Sequence, residues 1–434
     1  MGIEVAVLIL SFVFLLIIGV PIAFSLLVSA GLTLVVSLPG DIAMATLAQR
    51  MATGLDSFAL LAIPFFILAG ELMNRGGIAT RLIDFAKALV GSLPGGLAYV
   101  NIVACMLFGA VSGSAVAAVS AIGSFMTKRM EEEGYDRAYS AAVNITSGTT
   151  GLIIPPSNVI IVYSLASGGA SIGALFLAGY LPGILVGLLL IIFAGIYALR
   201  KNYPVGEKIK LSQALKYFIK AVPSLFLLIL IIGGIISGIF TPTEAAAVAV
   251  VYALILAMLV YREIKWSDII PVLVNTCKTS GIVLFLVACS IGMSWVMAYE
   301  DLPQNLSEWM LSLSDNPVVI LILINLILLF VGIFMDITPA VLIFTPIFLP
   351  IVQELGINEI HFGIIMVLNL CIGICTPPVG SVLFVGCSIA NLKITQVLKP
   401  MIPLFVAMII GLILVTFIPA LSLWLPELFG LLSY

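Results

Sequence analysis

Charged residues are scarce in this chain, and their scarcity decides which solvent surrounds it. Only 9% of the 434 residues are charged and 62% are hydrophobic, a composition outside the range of soluble globular proteins. The formal net charge is −3 and the basic residues fall in short clusters between apolar runs, so we expect no nucleic acid partner. The composition predicts an all-α polytopic protein of the lipid bilayer.

Motifs for catalysis are missing as well. The single histidine, His361, cannot supply the pair that a His-Glu-x-x-His metal site needs, and the sequence has no Gly-x-x-x-x-Gly-Lys run to bind a nucleotide phosphate. An intramembrane enzyme and an ATP-binding subunit are therefore disfavoured, although an ATPase on another chain stays open. We predict no enzymatic activity and no cofactor, and a lone histidine at a helix start has little claim to catalysis.

The cysteines lack the spacing of a zinc site or a disulfide framework. All six lie in or beside apolar segments, without close pairs or histidine partners. Cys371 and Cys375 are i,i+4 neighbours and are expected to be small packing residues. The N-terminus lacks the basic region and cleavage site of a signal peptide, so we expect the first apolar run to be retained as a helix.

Long apolar runs are what the chain has in abundance. A spanning helix needs about 20 apolar residues. The runs predict helices at 3–18, 20–37, 58–74, 175–199, 221–240, 243–261, 279–299 and 401–425. Four other segments do not fit one ordinary span. Segments 97–127 and 317–350 are too long for one spanning helix and short for two spanning helices. Segments 139–165 and 361–389 are broken by proline.

The two proline-broken segments contain a similar sequence motif. Pro155–Pro156 is matched 222 positions later by Pro377–Pro378, and the same offset maps Ser114 onto Asp336. Because proline lacks a backbone donor and clashes with the preceding turn, each pair is expected to interrupt a helix inside the membrane. The matched breaks indicate an internal repeat.

Flanking charges predict opposite orientations for the two halves. The linker 200–220 is rich in lysine and arginine, which places it in the cytoplasm. Segment 97–127 has basic residues on both sides, whereas 317–350 has acidic flanks and no lysine or arginine between Lys278 and Lys393. We therefore predict one re-entrant hairpin from the cytoplasm and one from the periplasm.

This pattern divides the chain into two inverted-topology repeats. The first repeat covers 1–220, with hairpin 97–127 and broken helix 139–165; the second covers 221–434, with hairpin 317–350 and broken helix 361–389. Apolar residues alternate with lysines in 207–222, which predicts an interfacial helix, and segments 41–57 and 262–278 are weaker cases.

Two acidic residues have structural interpretations. Glu244 follows Thr241-Pro242-Thr243 in the pattern of a capping box, so we expect it to hold a helix start rather than a proton. Glu71 and Arg75 are i,i+4 and are expected to form an ion pair near the cytoplasmic face.

Several sequence motifs together resemble those of the large membrane subunit of tripartite ATP-independent periplasmic (TRAP) transporters. They are residues 64–73, 238–247, 152–158 and 376–380. The resemblance covers nearly the whole chain and implies a sodium-coupled importer of organic acids in the bacterial inner membrane. It further implies a small four-helix membrane subunit, a periplasmic substrate-binding protein, and an elevator motion of hairpins and broken helices. Overall likeness favours sialic acid over a C4-dicarboxylate as substrate.

The helix breaks are the expected binding sites. A helix interrupted inside the membrane leaves free carbonyls on one half and free amides on the other, so one break can bind a cation and face an anion. We predict two sodium sites. The first comprises Ser112, Ser114, Thr149, Gly151, Pro155 and Asn158, and the second comprises Asp336, Thr338, Gly373, Thr376 and Gly380.

Asp336 is the strongest candidate ion ligand. It is the only acid between Asp315 and Glu354, and a charge at that depth is costly unless it is paired. The alternative is a structural carboxylate that caps the hairpin tip. For Ser112 and Ser114, ion binding and close helix packing are equally open.

An organic anion is expected between the two tips, in contact with Ser112, Asn158, Thr376 and Ser381. No arginine falls at that depth, although buried carboxylates often meet one, so half-helix amides and bound sodium are expected to take its place. A stand-alone sodium-coupled anion carrier and an ion channel are the alternatives to the tripartite importer.

Overall fold

The computed structural model describes residues 2–206, 209–314, 316–377 and 380–432. Within these ranges the regular structure is helical, and a single isolated bridge joins Pro94 to Val205. The all-α prediction is therefore confirmed. Pro378 of the second proline pair lies outside the described residues, as do Glu207 and Asp315 of the flanking charges.

The helices follow one another with short connections. In chain order they are α1 Ile3–Ile17, α2 Ile22–Ser37, α3 Gly40–Leu55, α4 Ala62–Arg75, α5 Ile78–Val90, α6 Gly96–Ser112, α7 Ala115–Glu132, α8 Arg137–Gly148, α9 Thr150–Ile153, α10 Asn158–Ala166, α11 Ile172–Arg200, α12 Leu211–Ile236, α13 Pro242–Ile255, α14 Trp266–Tyr299, α15 Leu302–Leu313, α16 Pro317–Phe334, α17 Ile337–Glu354, α18 Glu359–Gly373, α19 Ser381–Ala390, α20 Ile394–Phe417 and α21 Ala420–Leu428. A 3₁₀ turn, Phe58–Leu61, leads into α4, and a π-helical turn, Leu256–Val260, extends α13.

Eight helices in the described ranges are long and apolar enough to cross a bilayer. The bent pair Arg137–Ile153 and Asn158–Ala166, with an angle of 49° at the break, makes a ninth candidate. The polytopic prediction is therefore confirmed. The second hairpin, expected to be short for two spans, is long enough for them: α16 and α17 each have 18 residues, because α17 continues to Glu354.

Several predicted helix ends differ from the structure. Neither the described part of the interfacial segment 207–222 nor the segment 262–278 forms a separate helix, since α12 begins at Leu211, α14 begins at Trp266, and both run into the spans without interruption. Helix α20 starts earlier than residue 401 because Gln396 accepts a hydrogen bond from the Lys393 N–H, 2.8 Å long, at the helix start. It ends at Phe417 because Ile418 precedes Pro419 and leaves the helical conformation.

Two helices, α5 and α15, are absent from the helices expected from the sequence, and α21 is a separate short helix that overlaps the end of the predicted helix 401–425. Each is shorter than a span, and α5 and α15 mix polar with apolar residues, so a search for long apolar runs passes over them. Helix α12 also crosses the predicted boundary between residues 220 and 221. The division into two inverted repeats stays a prediction.

Both predicted hairpins turn where their polar tips are expected. Helix α6 packs against α7, and between them Gly113 adopts a left-handed conformation with φ +62°. Helix α16 packs against α17, and Met335 and Asp336 form the extended turn between them. The faces from which the hairpins enter the bilayer stay predictions.

The centre of the molecule is made by the two broken helices. Every residue of α8 from Tyr139 to Gly148 is buried, and so is every residue of α18 from Ile360 to Gly373. Helices α6 and α7 surround α8, whereas α16, α17 and α11 surround α18. The chain interruptions therefore lie in the core, where free backbone groups need protein or ligand partners.

Candidate functional site

The first helix break lies between α9 and α10. Pro155 and Pro156, joined by a cis peptide bond, cannot donate backbone hydrogen bonds, and Ile154 and Ser157 have extended backbone conformations. Helix α10 then restarts at Asn158. The carbonyl end of α9 and the amide end of α10 thus meet at this break, with opposite partial charges.

The second break follows α18. The Thr376 N–H donates to the Gly373 carbonyl over 2.8 Å, which continues the chain as a turn rather than as a helix. Gly380 precedes α19, and a Cβ at that position would lie 2.5 Å from the Ile374 carbonyl oxygen and 3.0 Å from that of Thr376. Glycine is therefore required, because only its backbone leaves room for these converging carbonyls.

A glycine pair joins each hairpin to its broken helix. An added Cβ at Gly109 of α6 would lie 2.2 Å from the Cα of Gly151, and one at Gly332 of α16 would lie 3.0 Å from the Cα of Gly373. Both contacts bring two helix backbones together next to a break. Gly151 and Gly373, predicted as ion ligands, thus have a packing function in this structure.

Buried amides reinforce the second of these contacts. Asn369 of α18 donates to the backbone oxygen and to Oδ1 of Asn325 on α16, at 3.2 and 2.8 Å, and Asn325 donates to the Thr416 hydroxyl at 3.1 Å. His361 contributes a ring nitrogen 3.3 Å from the Thr416 carbonyl. The hydrogen-bond partner of this ring is therefore a backbone group of α20, and the expectation that His361 has no catalytic role stays a prediction.

Both breaks and both hairpin tips surround one cavity of about 220 Å³. Helices α4 and α14 form its remaining wall. Its lining residues are Ile63, Ile67, Gly113, Ser114, Ala115, Val116, Leu152, Asn158, Val159, Val162, Thr279, Val283, Asp336, Ile337, Thr338, Ile374, Ser381 and Val382. The cavity therefore contains residues from both halves of the chain.

Asp336 is the only ionisable side chain among the described residues that line this cavity. Its Oδ1 accepts a hydrogen bond of 3.0 Å from the Ile337 N–H and one of 3.4 Å from the Ser381 hydroxyl. Asp336 is exposed rather than sealed in apolar packing, so the carboxylate keeps lone pairs free towards the cavity.

The structure brings five predicted site residues to the cavity wall: Ser114, Asn158, Asp336, Thr338 and Ser381. Seven others do not line it: Ser112, Thr149, Gly151, Pro155, Gly373, Thr376 and Gly380. The hydroxyls of Thr149 and Thr376 donate to carbonyls of their own helices, at 2.7 and 2.8 Å, and that of Ser112 donates to the Ser114 carbonyl at 3.5 Å. Local hydrogen bonds of this kind are common for serine and threonine in helices.

Two polar residues of the region are not among the predicted site residues. Thr279 lines the cavity from α14, and no local pattern distinguishes it from the neighbouring polar residues of that helix. Ser157 is 1% exposed, and its hydroxyl has no hydrogen-bond partner among the described residues. The sequence feature that could have indicated Ser157 as a site residue is its position between the proline pair and Asn158.

Two structural interpretations of acidic residues are confirmed. Glu244 accepts from the Thr241 N–H at 2.8 Å while the Thr241 hydroxyl accepts from the Glu244 N–H at 3.3 Å, which completes the capping box. Glu71 and Arg75 form an i,i+4 ion pair of 3.8 Å, and Asn275 of α14 also donates to Glu71.

The described helices thus form a membrane protein with a polar cavity between two broken helices and two hairpin tips, an arrangement that suits a membrane transporter. In agreement, the crystal structure of the Alcanivorax borkumensis YdaH transporter is similar, with a TM-score of 0.64 over 86% of this chain and 87% of that one. The two sequences are 14% identical, so this likeness concerns the fold alone.

Sequence comparison gives the family. The family model described as "Tripartite ATP-independent periplasmic transporter, DctM component" matches residues 9–421. The chain belongs to this family: it is a large permease component of a TRAP transporter, a multi-pass protein of the bacterial inner membrane, and not an enzyme.

The relatives extend over nearly the full chain. An uncharacterized protein of Salmonella typhimurium, YgiK, is 57% identical and covers 97% of this chain and 96% of its own length. The C4-dicarboxylate TRAP transporter large permease protein DctM of Pseudomonas aeruginosa is 42% identical, with 94% and 95% covered. The sialic acid TRAP transporter large permease protein SiaM of Vibrio cholerae is 39% identical, with 95% and 96% covered.

Proposed function

We propose that this permease imports an organic acid together with sodium ions through the cavity between the hairpin tips. The observation that carries the proposal is the convergence of both tips, both helix breaks and one carboxylate, Asp336, on a single cavity. Two opposed sets of free backbone groups in one place suit the simultaneous binding of a cation and an anion.

The proposed sodium ligands are oxygen atoms at the two tips and breaks. Asp336 offers a formal negative charge beside Thr338 and Ser381. At the first break, Ser114 faces the cavity, and the buried, unpartnered hydroxyl of Ser157 lies in the adjoining extended stretch. Hard cations prefer such oxygen ligands, so both ends of the cavity can hold an ion. Only the end at Asp336 offers a ligand with a full negative charge.

The proposed substrate is a carboxylate that lies against the starts of α10 and α19. Asn158 and Ser381 are the first residues of these helices and both line the cavity. Helix N-termini stabilise anions through free N–H groups, and bound sodium would offset the charge of Asp336. C4-dicarboxylate and sialic acid are the candidate substrates, since relatives of nearly equal identity carry both names.

The proposed transport movement is an elevator shift of the hairpins and broken helices against α4, α13 and α14. The glycine pairs Gly109/Gly151 and Gly332/Gly373 join each hairpin closely to its broken helix, which favours movement as one body. The opposite wall of the cavity comes from α4 and α14, which contact each other directly.

The proposed assembly is the tripartite one, with a small four-helix membrane subunit and a periplasmic substrate-binding protein as partners. The family description names a tripartite periplasmic transporter of which this chain is one component. A stand-alone sodium-coupled anion carrier or an ion channel would work without these partners.

Counterflow in proteoliposomes tests the carrier mechanism. Vesicles with the reconstituted permease and small subunit are loaded with unlabelled C4-dicarboxylate or sialic acid, and uptake of the labelled acid from its binding protein is measured in equal sodium. A carrier gives transient accumulation that depends on the internal acid. Uptake that is unaffected by internal substrate would indicate a pore and contradict the proposal.

A further inference from the structure

A second polar cavity lies away from the hairpin tips, between α5, α12 and the turn that follows α13. It measures about 490 Å³ and is lined by Thr80, Arg81, Asp84, Ile219, Lys220, Pro223, Val260, Tyr261 and Glu263. None of these residues lines the central cavity. The basic linker before α12 places this region on the predicted cytoplasmic side.

Arg81 of this cavity is already held by neighbouring groups. Its Nη1 donates to the Gly77 carbonyl at 2.6 Å, its Nη2 lies 3.7 Å from the Glu263 carboxylate, and its guanidinium lies 3.7 Å from the centroid of the Tyr261 ring. Arg81 and Glu263 thus compensate each other and form a fixed side of the cavity.

Three other polar groups of the cavity make no direct side-chain contact of this kind among the described residues. The Thr80 hydroxyl, the Asp84 carboxylate and the Lys220 ammonium all line it, and none makes a side-chain hydrogen bond or ion pair there. Asp84 is half-buried, and burial raises the pKa of its carboxyl although the positive charges of Arg129, Lys220, Lys87 and Arg81 oppose the shift. The half-buried Asp84 carboxylate and the exposed Lys220 ammonium therefore face one space without a direct salt bridge between them, and a ligand with one group of each sign can join them.

Apolar surface borders this cavity. Ile219 is 60% exposed and Val260 is 55% exposed, and Val222 and Phe226 continue the exposed face along α12. In a bilayer such a face contacts acyl chains, and basic residues at its cytoplasmic end contact headgroups. A membrane lipid can thus place its chains on α12 and its headgroup in the cavity.

We propose that this cavity binds the headgroup of a phosphatidylethanolamine from the bilayer. Lys220 and Thr80 donate to the phosphate, and Asp84 accepts from the primary ammonium. Phosphatidylethanolamine carries one anionic phosphate and one cationic ammonium, which complement Lys220 and Asp84 of the cavity. A purely anionic headgroup leaves Asp84 unmatched, and the quaternary ammonium of phosphatidylcholine has no N–H to donate.

Lipid titration of the purified full chain tests the proposal. Phosphatidylethanolamine and phosphatidylcholine with identical acyl chains are titrated separately, and bound lipid is counted by native mass spectrometry. The ethanolamine lipid is expected to bind about tenfold more tightly, because only it forms the charge-assisted hydrogen bond with Asp84. Equal binding of the two lipids would overturn the proposal.

Three variants separate the two halves of the headgroup. Asp84→Asn is expected to lower the affinity for the ethanolamine lipid to that for the choline lipid, whereas Lys220→Gln weakens both equally, since both contain the phosphate. Glu132→Gln is the matched control, because that exposed carboxylate pairs with Lys128 outside the cavity. A preference for ethanolamine that persists in Asp84→Asn would contradict the assignment.

Competition with free headgroup identifies the source of the ligand. Soluble glycerophosphoethanolamine shares the headgroup chemistry but lacks acyl chains. It is expected not to displace the lipid at equal concentration, because the apolar face of α12 contributes to binding. Equal displacement would assign the cavity to a soluble ligand and overturn the lipid proposal. Native mass spectrometry measures lipid binding without any transport. A failure of the proposed transport function therefore does not change the result of this test.

Discussion

Ser114 and Asp336 occupy equivalent places in the two hairpins. Ser114 precedes α7 and its hydroxyl accepts from the Ala117 N–H at 3.3 Å, and Asp336 precedes α17 and accepts from the Ile337 N–H. Both side chains are therefore N-caps that also line the central cavity. The carboxylate differs from the hydroxyl by a full charge, which is why Asp336 is the more informative of the two to alter.

Replacing Asp336 by asparagine tests the charge. We expect Asp336→Asn to raise the half-saturating sodium concentration for uptake by roughly 10- to 100-fold, since a hydrogen bond or ion contact to a charged group is worth about 1.5–3 kcal/mol. The measurement is initial uptake against sodium concentration in proteoliposomes. Glu308→Gln, an exposed acid on α15, is the control, and unchanged sodium dependence in Asp336→Asn would remove the carboxylate from the sodium site.

The close glycine contacts predict a stability effect. Gly109→Ala would place a methyl group 2.2 Å from the Cα of Gly151, so we expect it to destabilise the protein by about 1–3 kcal/mol. Gly233→Ala on α12 is the control, because no atom beyond the adjoining backbone of its own helix lies within 4 Å of its Cβ position and alanine favours a helix. Thermal unfolding in detergent measures both, and equal midpoints would show that α6 and α9 are not closely packed.

At the scale of elements, hydrogen bonds between Asn325 and Asn369 hold α16 to α18. We expect Asn325→Leu to cost about 1–3 kcal/mol in unfolding free energy, because it leaves buried amide groups unsatisfied. The double variant Asn325→Leu, Asn369→Leu should cost less than the sum of the two single changes, since it removes both polar partners. Additive costs in thermal or denaturant unfolding would show that the amide pair does not join the two helices.

Elements defined by local chemistry could be predicted from the sequence. The breaks near Pro155 and Gly380, and the tips near Gly113 and Asp336, appear where proline, glycine or a capping side chain disfavours a continuous helix. The offset of 222 residues likewise relates Ser114 to Asp336 through the sequence alone.

Features that depend on packing between distant helices could not be predicted in this way. Thr279 reaches the cavity only because α14 packs beside α4 and α17. Thr149 and Thr376 turn their hydroxyls to their own helix carbonyls, a choice that residue type leaves open. Helices α5 and α15 escape prediction because a half-polar helix shorter than a span resembles a loop in composition.

At the scale of the whole molecule, the two halves meet at one cavity. Each half supplies a hairpin tip, a helix break and one flanking helix, α4 or α14. An ion at either end of the cavity would therefore contact elements that also line the proposed substrate position. This shared wall gives a direct physical basis for coupling, because an ion that orders a tip alters the affinity of the adjacent site.

Sodium-driven uptake by the complete assembly tests this account most directly. Proteoliposomes that contain this chain and its small membrane subunit receive an inward sodium gradient, with labelled C4-dicarboxylate or sialic acid supplied on the periplasmic binding protein. We expect accumulation of the acid only when the gradient and the binding protein are both present, and none when potassium replaces sodium. Full uptake by this chain alone, or uptake that is indifferent to sodium, would contradict the account.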